Sequence, residues 1–260
     1  MKAENLLRIS YLIFRQRMAI IIEYRVNFVM RIMAGFISLL FMVAVWQGLR
    51  PGDFQGTLWQ FYVVAGIVGA FTGEGFYRQM SSDINSGQLS FYLLQRYPYL
   101  GRMVSRLLAD ALINIGISVF AIASVGIFVR GSIHLTPLNL FIAAPFLIVG
   151  RAISLLINFL AGCVSFIWIN PDAFYLVLDT VLFFLFGSMF PFWMLPPIWQ
   201  KIFLALPFRS VIATPTDAVM GITNSLIPNL VSSIVWFAIL GVISAGVWNK
   251  VLVYYEAVGG

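Results

Sequence analysis

Charge is scarce in this chain. Its 260 residues include only 16 Lys and Arg and 10 Asp and Glu, whereas 61% are hydrophobic. A soluble domain is about 25% charged and about 45 to 50% apolar, so this chain lacks the polar surface that a water-exposed globule needs. The same scarcity excludes a disordered tail, a coiled coil and a basic face for nucleic acid. The mean hydropathy of +0.94 therefore predicts a membrane protein.

Cysteine and histidine are nearly absent, and this limits the possible chemistry. Cys163 alone excludes an internal disulfide and a multi-cysteine metal site, and His134 alone excludes a histidine cluster. The lysines follow Met1, Gln200 and Asn249 rather than glycine, so the sequence has no Walker A phosphate loop. H-E-x-x-H and G-x-S-x-G are missing as well. We therefore predict no catalytic residue, no metal site and no cofactor in this chain.

Apolar stretches long enough to cross a membrane are abundant. A transmembrane helix needs about 20 mainly apolar residues. The predicted spans are residues 29–49, 58–77, 107–128, 138–169, 173–190 and 227–248. Open sheets leave backbone groups unpaired in lipid, and the runs lack the alternation of a barrel. The predicted fold class is thus an all-α membrane protein with six transmembrane helices in one transmembrane domain, residues 1–260.

The fourth stretch, residues 138–169, is unusually long and contains Pro145 and Arg151. It forms either one tilted, kinked helix, or an interfacial segment over residues 138–149 with the crossing starting near Gly150. We favour the second interpretation, because Arg151 would then lie near a membrane boundary, where a charge costs less.

Basic residues predict the orientation, since cytoplasmic loops are enriched in Lys and Arg. With a cytoplasmic N-terminus, the inner side holds Lys2, Arg8, Arg15, Arg17, Arg25, Arg31, Arg78, Arg96, Arg102, Arg106 and Lys250. The outer side then holds only Arg50, Arg130, Lys201 and Arg209, with Arg151 undecided. We expect a multi-pass protein of the plasma (inner) membrane with both termini cytoplasmic.

Residues 3–25 are predicted to form an amphipathic helix at the inner membrane surface. Polar and aliphatic side chains separate onto two faces: Glu4, Arg8, Tyr11 and Arg15 against Leu6, Ile9 and Ile13. Arg17 falls on the apolar side, so the helix is expected to bend or end near it. The alternative is a basic stub that only fixes the topology.

A few ionisable residues fall inside or beside the predicted spans. Asp179 is the most deeply placed, and a charge at the bilayer centre costs about 2.5 to 3.5 kcal/mol on insertion scales. It either lines a polar cavity or meets a charge such as Arg151, or it is a structural carboxylate, protonated or hydrogen-bonded. Near the inner boundary, two pairs one helical turn apart are expected: Glu74 with Arg78, and Asp110 with Arg106.

Small residues recur every four positions along the second predicted span, at Ala65, Gly69 and Gly73. Such a stripe lets another helix approach closely. The sequence leaves open whether that neighbour belongs to this chain or to a second subunit.

The inner loop, residues 79–101, is too polar at one end to span and too apolar at the other for a plain linker. Gly87 could end a short helix in a left-handed cap. Leu89, Tyr92 and Leu93 would then form an apolar face that ends at Pro98. A short amphipathic helix at the cytoplasmic rim suits contact with a soluble partner.

The outer segment, residues 191–226, mixes prolines with bulky aromatic residues. Proline precludes one continuous span, so we predict short re-entrant helices that dip into the outer leaflet and pack on protein. Trp193 and Trp199 would lie at the interface. The alternative is a loop with an aromatic belt.

The run from Asp83 to Leu94 followed by Pro98, together with Phe190-Pro191, Leu195-Pro196 and Pro207, resembles membrane subunits of type-2 ABC exporters. The likeness is to the small six-span permeases that pair with a separate ATPase subunit. It implies two ABC ATPase subunits, which bind ATP and Mg, and a second permease, the same or related. The ATPase-coupling residues would be Asp83, Gly87, Leu89, Tyr92, Leu93, Leu94 and Pro98. The cavity or gate would comprise Asp179, Phe186, Met189 and Phe190.

Two other classes of function compete with this hypothesis. A passive channel or membrane scaffold would have no ATPase to contact, but few polar residues share one face of any span. An intramembrane enzyme acting on lipids would need clustered acids or histidines, whereas Glu74, Asp110 and Asp179 are scattered.

Overall fold

The computed structural model describes residues 3–23, 25–49, 55–72, 76–108, 110, 116, 136–168, 170–222 and 225–253. The helices are α1 (Ala3–Glu23), α2 (Arg25–Leu49), α3 (Gln55–Thr72), α4 (Phe76–Asn85), α5 (Gln88–Leu94), α6 (residues 99–108), α7 (Pro137–Gly162), α8 (Asp172–Leu185), α9 (Pro197–Ala205), α10 (Ala213–Val219) and α11 (Leu226–Val253). No strand occurs in these ranges. The predicted all-α class is confirmed.

Two of the described helical stretches are long and apolar enough to cross a membrane, Pro137–Phe166 and Leu226–Val253. By position, α2 and α3 correspond to the first and second predicted spans. The third predicted span, residues 107–128, lies almost wholly outside the described residues. The count of six spans therefore stays a prediction.

In the second predicted span, α3 is described to Thr72 and Tyr77 lies in α4, while residues 73–75 lie outside the described residues. The fifth predicted span continues too far along the sequence. Helix α8 ends at Leu185 rather than at residue 190, because Gly187 adopts a left-handed φ of 80°. The amides of Gly187 and Ser188 bond back to Phe184 and Phe183, the Schellman pattern that ends a helix.

Helix α7 corrects the favoured interpretation of the fourth span. It runs unbroken from Pro137 to Gly162, and so passes Gly150 without interruption. Its start is fixed by Thr136, whose hydroxyl accepts a bond from the Asn139 amide at 3.3 Å, and by proline at the first helical position. The predicted break near Gly150 is wrong because one proline, Pro145, removes a single backbone bond and the packed helix continues.

Other elements approach α7 closely at two of its glycines, one near its middle and one at its C-terminal end. A Cβ on Gly150 would lie 2.5 Å from the Ser210 carbonyl oxygen, and one on Gly162 would lie 2.6 Å from the Met80 sulfur. These glycines are twelve residues apart, which is about 18 Å along a helix. Helix α7 thus holds the outer segment near its middle and α4 at its C-terminal end.

Helix α1 runs through Arg17 to Glu23, so the alternative in which it ends near Arg17 is wrong, and a bend there stays a prediction. The helix contains neither glycine nor proline, and one charge on the apolar side does not disturb backbone hydrogen bonding. Arg8, Tyr11 and Arg15 are exposed while Ile13 is buried, as the two-faced pattern predicts. Its place at the membrane surface stays a prediction.

The outer segment consists of short helices, as predicted. Turns of 3-10 helix at Phe192–Met194 and Phe208–Ser210 alternate with α9 and α10. Every residue of α10 is buried, against α3 and α7. This packing is what lets a proline-rich, non-spanning segment persist beside apolar helices.

Candidate coupling surface and outer gate

Helices α4 and α5 meet at a sharp turn, and together with Gly87 they are called the elbow below. The predicted left-handed glycine is confirmed, since Gly87 has φ 72° and ψ 0°. Its amide bonds back to the Ile84 carbonyl at 3.1 Å. A side chain at this φ is strained, so glycine sets the angle between the two helices.

One face of α5 packs into the protein. Leu89 is fully buried in a cluster with Met80, Tyr99 and Met103, and Tyr92 packs beside it. The sequence predicts Leu89, Tyr92 and Leu93 on one apolar face. The structure turns that face inward, with Leu93 at its edge at 40% exposure.

The opposite face of α5 is apolar and exposed. Phe91 and Leu94 are 64% and 87% exposed. At about 100° per residue they point away from Leu89 on a helix. Helix α5 therefore has an inward face that holds it and a free face, Phe91 and Leu94, available to another molecule. Pro98, which follows α5, is also exposed.

Asp83 lies inside the protein. Its side chain accepts hydrogen bonds from Tyr99 Oη at 3.0 Å and Gln79 Nε2 at 2.9 Å, and Arg106 lies 4.0 Å away. Burial and the nearby Asp83 carboxylate raise the pKa of Tyr99 well above its usual range, so Tyr99 remains a donor. Asp83 thus joins α4 to the start of α6, and its assignment to ATPase coupling stays a prediction.

Aromatic contacts connect the elbow to the last helix. The Tyr99 ring is nearly parallel to that of Trp248 on α11, with centroids 6.1 Å apart. The Tyr99 ring also stacks on that of Tyr92, with centroids again 6.1 Å apart. The Arg102 guanidinium lies 4.4 Å from the Tyr92 ring centroid. These contacts would therefore transmit a displacement of α5 to α11 as well as to α7.

Asp179 pairs with a different arginine from the one named in the sequence analysis. Arg78 on α4 donates to its Oδ2 at 2.5 Å. Arg151 instead donates to the Thr72 and Leu107 carbonyls. Arg151 thereby caps the C-terminus of α3, where a cation is favoured, and is not free to meet Asp179.

The other predicted boundary pairs are less completely described. Glu74, the expected partner of Arg78, lies outside the described residues. Arg106 lies beside Asp83, and its pairing with Asp110 stays a prediction.

The small-residue stripe has a neighbour in this chain. Ala65 is buried, and a Cβ on Gly69 would be 3.6 Å from Cδ1 of Ile212, beside α10. Gly73 lies outside the described residues. Gly69 therefore contacts the outer segment of this chain, and contact of the stripe with a second subunit stays open.

The predicted gate residues lie just after α8. Phe186 and Phe190 are buried, while Met189 is 40% exposed. The Tyr62 hydroxyl of α3 donates to the Met189 carbonyl at 2.8 Å. Phe190 contacts Phe184 with ring centroids 5.0 Å apart. The segment is thus fixed to α3 and to its own aromatic cluster, and its contact with cargo stays a prediction.

A buried ion pair holds the rest of the outer segment. Arg209 donates to Asp217 Oδ2 at 3.0 Å. Burial raises the pKa of Asp217, and the Arg209 charge opposes that rise. The pair connects the turn at Phe208–Ser210 to α10.

Comparison with known families decides the identity. Residues 52–259 match the family described as ABC-2 family transporter protein. The chain belongs to this ABC-2 family. Its membership makes the chain the membrane-embedded permease component of an ABC transporter, whose ATPase is a partner. No curated protein matches the chain significantly.

Several contacts of this ABC-2 permease were missed by the sequence analysis. Phe91 was not among the predicted coupling residues, although its position two residues after Leu89 places it on the opposite side of α5. The Arg78–Asp179 pair joins residues 101 positions apart, and the Tyr62–Met189 bond joins residues 127 apart. Such contacts cannot be predicted from the local spacing of residues, because they depend on how α3, α4 and α8 pack.

Proposed function

We propose that this ABC-2 permease forms half of the translocation path of an ATP-driven exporter and is coupled to a separate ABC ATPase through α5. The assembly would contain two ATPase subunits, which bind ATP and Mg, and a second permease, the same or related. It would lie in the plasma (inner) membrane with both permease termini cytoplasmic.

The observation that carries this proposal is the exposed face of α5. Phe91 and Leu94 are large apolar side chains on a short helix whose other face is fixed by Leu89. Their neighbours Gln88 and Arg96 are exposed and polar. An apolar ridge with a polar rim is the pattern of a helix that docks in a groove of a partner.

The elbow contacts indicate how force would reach the spans. Closure of the ATPase pair would displace α5 and, through the elbow, α4, which packs on α7 through Met80 and Gly162. Tyr92 of α5 stacks on Tyr99, which in turn stacks on Trp248 of α11. Rigid movement of these helices would open a path outward between permease subunits. Aromatic and methionine side chains after α8 would then contact an amphipathic cargo.

The test is affinity purification of the tagged chain from its native membrane, followed by quantification of any co-purifying protein that carries an ABC ATPase signature. Phe91→Glu and Leu94→Glu should each reduce the recovered ATPase by about tenfold or more, since burying an unpaired carboxylate costs over about 1.4 kcal/mol. Ile198→Glu is the matched control. Ile198 is 67% exposed on α9, in the outer segment, and should retain the ATPase.

Each variant must remain monodisperse on gel filtration, so that loss of the partner is separated from misfolding. Absence of an ABC ATPase from the unmodified chain would contradict the proposal and favour a passive channel or scaffold. Equal recovery with Leu94→Glu and Ile198→Glu would contradict the assignment of the docking face.

A further inference from the structure

Two side chains connect the elbow to the helix that leads to the gate residues. Arg78 lies on α4 and Asp179 on α8, and their charged groups are 2.5 Å apart. Helix α8 ends at Leu185, immediately before Phe186. The pair therefore lies between the surface proposed to meet the ATPase and the segment proposed to open.

A ring contact accompanies the ion pair. Tyr77 directly precedes Arg78, and Tyr175 lies one helical turn before Asp179. Both tyrosines are almost fully buried, and their ring centroids are 4.5 Å apart. The Arg78 guanidinium lies 5.7 and 5.8 Å from the two centroids. The Tyr175 hydroxyl also shares a 2.7 Å hydrogen bond with Ser165, after α7. Charge and rings thus form one contact, named here the α4–α8 contact.

The position of Asp179 makes separation of the pair unfavourable. It is the eighth residue of α8, or about 10 Å from the start of the helix. The Arg78 and Asp179 side chains are 47% and 43% exposed. In the proposed membrane topology α8 lies in lipid, where an unpaired carboxylate or guanidinium is costly. When α4 moves, the lower-energy response is for α8 to follow it with the pair intact.

We infer that Arg78 and Asp179 are positioning residues that transmit movement of the elbow to α8, and through α8 to Phe186, Met189 and Phe190. This inference rests on the proposed function, because the elbow moves only if an ATPase drives it. Neither residue contacts the ATPase or the cargo in this scheme.

The experiment reports on the gate itself and needs no knowledge of the cargo. Cys163 is the only cysteine of the sequence and is buried. The parent for labelling carries Cys163→Ala and Met189→Cys, so its single thiol lies at position 189, where the native methionine is 40% exposed. The rate of maleimide labelling is measured on the purified permease–ATPase assembly, with no nucleotide and with ATP plus vanadate. We expect the two rates to differ by about threefold or more in this parent.

Substitution of either charge should remove the nucleotide effect without releasing the ATPase. Arg78→Gln and Asp179→Asn should label at nearly the same rate in both states. Arg78→Lys, which keeps the charge, should retain most of the difference. The exchange Arg78→Asp with Asp179→Arg should restore it, an outcome that a purely structural role of either residue alone does not produce.

Several results would overturn the inference. One is an unchanged nucleotide effect in Arg78→Gln; another is failure of both Arg78→Lys and the charge exchange, in monodisperse protein, to restore the effect. A parent that binds the ATPase but shows no nucleotide effect would overturn the α4–α8 role alone. If no ATPase co-purifies with the parent, the proposed function is contradicted as well as the α4–α8 role.

Discussion

At the scale of single residues, Asp83 illustrates a polar group that holds the elbow from within. It is 1% exposed and accepts from Tyr99 and Gln79. Asp83→Ala would leave these donors and the nearby Arg106 without their carboxylate. We expect the free energy of unfolding to fall by about 1 to 3 kcal/mol, measured by SDS denaturation of the purified chain.

The matched control is the neighbouring residue Ser82, whose side chain is exposed. Ser82→Ala should change the stability by less than about 0.5 kcal/mol. If Asp83→Ala were as stable as Ser82→Ala, the structural role of Asp83 would be wrong and its direct contact with a partner would become the better explanation.

At the scale of elements, α7 positions both functional regions, and its glycines set the spacing. A Cβ on Gly150 would press on the Ser210 carbonyl at 2.5 Å and the Val211 carbonyl at 3.2 Å, which are backbone atoms that cannot simply turn aside. Gly150→Ala should therefore destabilise the chain by about 1 to 3 kcal/mol, despite the better helix propensity of alanine, worth about 1 kcal/mol.

Gly241 on α11 provides the comparison, because a Cβ there would meet no atom within 4 Å. Gly241→Ala should be neutral or stabilising by up to about 1 kcal/mol. The same SDS titration compares the two variants. Equal stability of both would mean that the outer segment does not pack closely on α7.

The sequence predicts some features of the helices and turns correctly and others not. The left-handed Gly87 and the short helices after α8 follow from glycine and proline, whose backbone restrictions act locally. The end of α8 is predicted too late, because large apolar residues lie on both sides of Gly187 and Ser188 and favour a longer helix, although Gly187 is itself a local helix-end signal. Asp179 was given the wrong partner, because the packing of α4 on α8 decides it.

At the scale of the whole molecule, composition was the strongest predictor. The deficit of charge predicts a membrane protein, and the long apolar runs without strand alternation predict that it is all-α; the helices of the described residues confirm the all-α class. The family match begins at residue 52, so α1 and α2 lie before it. The sequence could not show which face of α5 remains free, since both of its faces are apolar.

We propose that this permease acts only with an ATPase held through α5. The most direct measurement is vanadate-sensitive ATP hydrolysis by the affinity-purified tagged chain, compared between the unmodified protein and the double variant Phe91→Glu, Leu94→Glu. We expect hydrolysis in the first preparation and at least about a tenfold loss in the second, since both substitutions bury charge. Full hydrolysis by the double variant, or none by the unmodified protein, would contradict it.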